Sequence, residues 1–142
     1  MRLAVDTNIL FSFFWPKSAL KGILLHKDME LYSPEYALEE INAHEREILK
    51  KSGISPKEFK ALREDLAIAV MFVPMEEYAG KLKEATKHSP DPKDADFFAV
   101  CLHLDLPLWT NDSTLKRQGK VIVLSTGELL EKEEFQSIFI PG

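Results

Sequence analysis

Cysteine is almost missing from this 142-residue chain, in which Cys101 stands alone. A lone thiol excludes an internal disulfide and any zinc site built on several thiolates, and it makes the cytoplasm the default expectation. Also missing is any apolar run of the roughly eighteen residues that a membrane span requires. The opening run MRLAVDTNILFSFFW has the basic start and apolar middle of a secretory leader. Asp6 and Asn8 interrupt it, however, and no small-residue cleavage site follows, so it reads as a buried strand entering a helix. No internal repeat, low-complexity segment or domain boundary is visible, and residues 1–142 read as one domain of ordinary size. A surplus of positive charge is lacking too: 18 Lys and Arg stand against 23 Asp and Glu, a formal net charge of −5. That balance runs against a nucleic-acid binder whose affinity rests on Lys and Arg meeting phosphates. It does not exclude one that loads divalent cations onto a carboxylate cluster, since a formal count omits their charge.

What is present is the composition of a folded protein, 45% hydrophobic and 29% charged. Short apolar, β-branched runs alternate with helical periodicity. Strands are expected at Arg2–Val5, Glu30–Tyr32, Ala69–Val73, Leu108–Thr110 and Val121–Leu124. Helices are expected at Ile9–Trp15, Ser18–Leu25, Pro34 to about Lys51, from Ser55 with the capping-box pair Ser55 and Glu58, Glu76–Lys87 and Asp91–Leu104. The tail after Gly127 carries one short helical stretch and an apolar end, with no assigned place. Such alternation predicts an α/β fold, a central parallel sheet of about five strands flanked by helices on both faces.

Ligands of such sheets bind beyond the carboxyl ends of the strands. Asp6 sits directly at one such end, and Asp112 follows Leu108-Trp109-Thr110 at another. Asp94 lies in the first turn of the helix expected from Asp91, where the helix dipole favours a carboxylate. Glu40 borders the apolar stripe of Ala37, Ile41, His44 and Ile48. Four carboxylates distant in sequence thus have reason to share one pocket. Crowded like charges raise one another's pKa values, and a hard divalent cation relieves them. Oxygen-only ligands select Mg²⁺ or Mn²⁺ over zinc. Such an ion activates water for phosphodiester hydrolysis without a protein nucleophile. Asn8 and Thr110 are candidates to orient waters or phosphate oxygens at the rim, with Thr7 a further one.

The ordered set V-D-T-N-I-L, A-L-E-E-I, D-P-K-D-A-D-F-F-A-V-C-L and L-W-T-N-D resembles the PIN-domain family over almost the whole chain. The resemblance implies a five-stranded parallel sheet and Mg²⁺- or Mn²⁺-dependent cleavage of RNA. It implies the acids Asp6, Glu40, Asp94 and Asp112, with Asp91 as a helper. Many small members are VapC-type toxins with a cognate antitoxin protein, and many are homodimers. Two departures stand out. Ser113 and Thr114 follow Asp112 where some members carry a further acid, and Asp96 competes with Asp94. Residues two apart on a helix face different ways, and the motif favours Asp94.

Taken singly, each acid has a plainer reading. Asp6 could cap a helix, Glu39 and Glu40 could be solvated helix charges, and Asp91, Asp94 and Asp112 could serve first turns. His26, His44, His88 and His103 show no metal-ligand spacing, and Cys101 reads as a core residue. The Phe11, Phe13, Phe14, Trp15 cluster reads as core or dimer face before base stacking. Lys17, Lys21, Lys93, Lys116 and Arg117 adjoin the expected mouth, where phosphate contact competes with an ordinary solvated surface. The alternative function is a PIN-like scaffold that binds RNA or protein without cutting. A phosphatase of the haloacid-dehalogenase type would want Asp at Asn8. A receiver domain would want paired acids near the first strand and a Lys after the last.

Overall fold

The computed structural model describes residues 1–139, and the last residues of the apolar tail, 140–142, lie outside the described residues. Five strands form one sheet: β1 (Arg2–Val5), β2 (Glu30–Pro34), β3 (Val70–Val73), β4 (Leu108–Trp109) and β5 (Val123–Leu124). Their order is β3-β2-β1-β4-β5 and every pairing is parallel. Consecutive residues of a strand point to opposite faces, yet Leu3, Ala4 and Val5 of β1 are all buried. Both faces of the central strand are therefore covered, as the expected α/β architecture requires.

The helices are α1 (Thr7–Phe11), α2 (Leu20–Leu24), α3 (Glu35–Ala43), α4 (Glu45–Ser52), α5 (Pro56–Ala69), α6 (Met75–Tyr78), α7 (Leu82–His88), α8 (Ala95–Leu104), α9 (Thr126–Glu131) and α10 (Glu133–Phe139). Four expected helices are interrupted. The first gives way to a 3-10 turn at Ser12–Phe14, where the Ser12 hydroxyl donates to the Ile9 carbonyl at 2.5 Å. The helix expected from Pro34 breaks at His44, whose φ of −100° and ψ of 13° separate α3 from α4. Its Nδ1 donates to the Glu40 carbonyl at 2.8 Å, a side-chain bond that competes with the helical ladder. The one expected at Glu76–Lys87 divides into α6 and α7 around a 3-10 turn at Ala79–Lys81. The helix expected from Asp91 begins as the 3-10 turn Pro92–Asp94 and becomes α-helical only at Ala95. The Ser55–Glu58 capping box forms as expected, and a second box, Ser125 with Glu128, starts the α9 tail.

One contiguous buried cluster fills the space between sheet and helices. Phe13 and Phe14 belong to it, and Phe14 stacks on Phe59 at 4.9 Å. Cys101 is buried there as well.

Candidate metal centre

The chain leaves β1 towards β2 and β3 on one side, while β4 leads to β5 on the other. Where neighbouring strands send their connections apart, a crevice opens past their carboxyl ends. Asp6 is the first residue beyond β1, and its backbone N–H still donates into the sheet, to the Trp109 carbonyl at 3.0 Å. Thr110 is its counterpart beyond β4, donating its N–H to the Leu124 carbonyl at 3.0 Å. The sheet itself thus sets these two side chains at the crevice floor.

Asp6 is 8% exposed, and both its carboxylate oxygens have partners. Oδ1 accepts the Thr7 N–H at 2.8 Å, which caps α1, and Oδ2 accepts the Thr110 hydroxyl at 2.6 Å. Thr110 Oγ1 in turn accepts the Asp112 N–H at 3.1 Å, so a single hydroxyl ties Asp6 to the Asp112 backbone. The expectation that Thr110 lies at the rim gives way to a buried post under Asp6, 1% exposed. Asp112 Oδ1 accepts the Thr114 N–H at 3.0 Å and the Thr114 hydroxyl at 2.7 Å. On α3, Glu40 Oε1 accepts the Thr7 hydroxyl at 2.8 Å, whereas Glu39 is exposed. Asp94 closes the 3-10 turn before α8, and Asp91 opens it, accepting the Lys93 N–H at 2.9 Å.

Asp6, Asn8, Glu40, Asp91, Asp94 and Asp112 line one cavity of about 210 Å³, together with Thr7, Lys93 and Thr114. Asp96 instead accepts the Tyr78 hydroxyl at 2.5 Å. Burial is the main cause that raises the Asp6 pKa, which the Thr110 and Thr7 bonds counter and the Asp112 charge reinforces. Burial likewise raises Glu40, opposed by the Thr7 bond and aided by the charge of Asp6. Asp94 is pushed up to about 6, by burial first and then by the charges of Asp6, Asp91, Asp112 and Glu40. Proximity of like charges is written into that last shift.

Among the described residues no three His, Cys, Asp or Glu side chains form a ready-made ion-holding cluster. Thr7, Thr110 and Thr114 each donate a hydroxyl to an oxygen of a different acid. The donor chemistry fits a hard divalent cation, being oxygen throughout and short of compensating positive charge. Among the described residues neither Cys nor His lines the cavity.

Sequence reasoning gave Thr7 only a loose role at the rim and did not single out Thr114. The legible signal for Thr114 was its place two residues after Asp112, the spacing at which an Asp side chain bonds the backbone of a turn. Of the five basic residues for which phosphate contact competes with a solvated surface, Lys93 stands at the cavity, whereas Lys116 pairs with Glu128.

Fold and cavity together define a parallel α/β protein with an acidic crevice at its strand-carboxyl edge. The sequence matches the PIN domain over residues 4–134, most of its length, and the chain belongs to that family. No match was found among curated proteins. Among solved structures the chain is similar to VapBC2 from Rickettsia felis, crystallised bound to a DNA fragment from their promoter. The TM-score is 0.61 at 16% identity, covering 88% of this chain and 98% of the other. At that identity the likeness is one of fold.

Proposed function

We propose that this PIN-domain protein is a Mg²⁺- or Mn²⁺-dependent endoribonuclease and the toxin of a toxin–antitoxin pair. The observation that carries the reading is the meeting of Asp6, Glu40, Asp94 and Asp112, from four separate segments, in one crevice past the strand ends. Asp6, Asp94 and Asp112 would hold the cation, with Glu40 beside them. A bound divalent ion lowers the pKa of a water and neutralises phosphate charge. The chain's own residues supply the rest. Thr110 and Thr7 fix the Asp6 carboxylate, so little side-chain entropy remains to be lost there. Thr7 holds Glu40 against the same wall, where burial raises its pKa and makes the carboxylate a better acceptor for a proton from water. Lys93 at the cavity wall offers a cation to a phosphate oxygen, and Asn8 an amide.

The fold likeness to VapBC2 supports a partner protein in the role of antitoxin. Homodimerisation and a cytoplasmic location complete the proposal. No helix among the described residues is long and apolar enough to cross a membrane.

The test is cleavage of single-stranded RNA by purified protein. Activity with Mn²⁺ or Mg²⁺ should vanish with EDTA and in Asp6→Asn and Asp94→Asn, each of which keeps its circular dichroism spectrum. Equal activity in wild type and both variants would contradict the proposal. RNA bound but left intact under every metal condition would support the non-cleaving scaffold instead.

A further inference from the structure

Beside the acidic cavity runs a larger groove of about 670 Å³, and Asn8 and Phe11 line both. Of the four aromatics between Phe11 and Trp15, Phe13 and Phe14 turn into the core, which leaves Phe11 and Trp15 half-exposed along this groove. The Phe11 ring is backed by the His44 ring, with centroids 5.6 Å apart. Lys17 is exposed at the groove, and Ser12 and Ser18 add hydroxyls to its wall. Among the described residues no carboxylate lines it, although the chain carries more acids than bases. Aromatic faces, one cation, hydroxyls and no acid are the chemistry that receives bases and a phosphate backbone.

We propose that this groove, lined by Phe11, Trp15 and Lys17, is a nucleobase-stacking subsite for single-stranded RNA entering the acidic crevice. The claim rests on the ribonuclease reading for the identity of its ligand. Phe11 and Trp15 present ring faces to unpaired bases, and Lys17 meets the phosphate that links them. Continuity through Asn8 and Phe11 places the stacked nucleotides next to the one held over the carboxylates. Duplex RNA has no free base faces to offer, so the subsite selects unpaired strands.

Trp15 provides the readout, because the other tryptophan, Trp109, is 0% exposed. A decamer of adenosine is titrated into the protein in EDTA, which removes cutting and leaves stacking to be read alone. Saturable quenching of emission is expected in wild type and absent in Trp15→Phe, whose remaining tryptophan is buried. With Mn²⁺ present, Trp15→Ala should raise KM for RNA about tenfold with kcat within about twofold. Trp15→Phe should restore most of that loss, since a smaller ring still stacks. Lys17→Ala, a surface change with little risk to folding, should lower the salt dependence of binding by about one charge. Unquenched emission in a sample that binds the decamer, or an unchanged KM in Trp15→Ala, overturns the proposal. So does an emission shift that follows protein concentration without RNA, since a second copy then covers the groove. Cutting without quenching defeats the subsite alone, and quenching without cutting defeats the nuclease reading alone.

Discussion

Thr110 and Asp6 stand 104 positions apart in sequence, and the hydroxyl of the first donates to Oδ2 of the second at 2.6 Å. Both lie one residue beyond adjacent parallel strands, so the register of β1 against β4 produces the contact. The bond does two things. It satisfies a buried carboxylate oxygen, and it lowers an Asp6 pKa that burial raises.

Replacing Thr110 with Val keeps the shape and removes the donor. Hydrogen bonds to charged groups contribute about 1.5–3 kcal/mol, and Thr110→Val should destabilise the metal-free protein by about 1–2 kcal/mol at pH 8. The deficit should be smaller at pH 5, where Asp6, its pKa raised by burial, carries less charge for the donor to meet than at pH 8. Urea unfolding at the two pH values measures both. An unchanged midpoint at pH 8 would show that the bond is energetically idle. Thr110→Ser, which retains the hydroxyl, should also retain cleavage.

The metal-free protein should grow more stable as pH falls from 7.5 to 5. Asp94, with its pKa at about 6 against 3.8 when free, binds its proton more tightly in the folded state. Its contribution is therefore greatest below 3.8 and is lost as pH rises through about 6. Asp6 and Glu40 are raised as well and act in the same direction. Glu47, Glu84 and Glu128 are lowered by their lysine partners and act oppositely, but only below their ordinary 4.5. Between pH 5 and 7.5 the cavity acids therefore set the sign of the carboxylate contribution. Asp94→Asn should flatten the slope and stabilise the protein at pH 7.5 by about 1 kcal/mol, a figure discounted because the residue is half-exposed. Thermal midpoints at the two pH values decide it; a lower midpoint at pH 5 would contradict the crowding argument.

The strands were readable because a central parallel strand is apolar on both faces and ends sharply. Val5-Asp6 is such an end, and its motif located the crevice. Asp6, Asp94 and Asp112 were readable as candidates for the same reason, since they stand at element boundaries that the apolar pattern marks, and Glu40 by its place beside an apolar stripe. The breaks at Ser12 and His44 were not readable, since each depends on a side chain bonding a carbonyl three or four residues earlier, and periodicity carries no trace of that choice. Thr110 looked like a rim residue because its burial arises from packing around β4 and β5, which no local pattern records. The α9 start could have been found, since Ser125 and Glu128 have the capping-box spacing already used for Ser55 and Glu58.

Gln118 carries a prediction that concerns stability alone. Its Nε2 donates to the carbonyls of Leu115 and Val121, and its Oε1 accepts the N–H groups of Lys120 and Val121. One amide side chain thereby closes the loop that feeds β5. Gln118→Ala should destabilise the protein by about 1–3 kcal/mol while leaving the rate of RNA cleavage within about threefold. Loss of cleavage at full stability would mean that the loop has a part in the site.

The measurement that bears most directly on the acidic crevice is isothermal titration of Mn²⁺ into the metal-free protein at pH 7.5. The account predicts saturable binding that weakens at least about tenfold in each of Asp6→Asn, Asp94→Asn and Asp112→Asn, the scale of losing one charged ligand. Binding of equal strength in wild type and all three variants, or no binding in wild type, would contradict it.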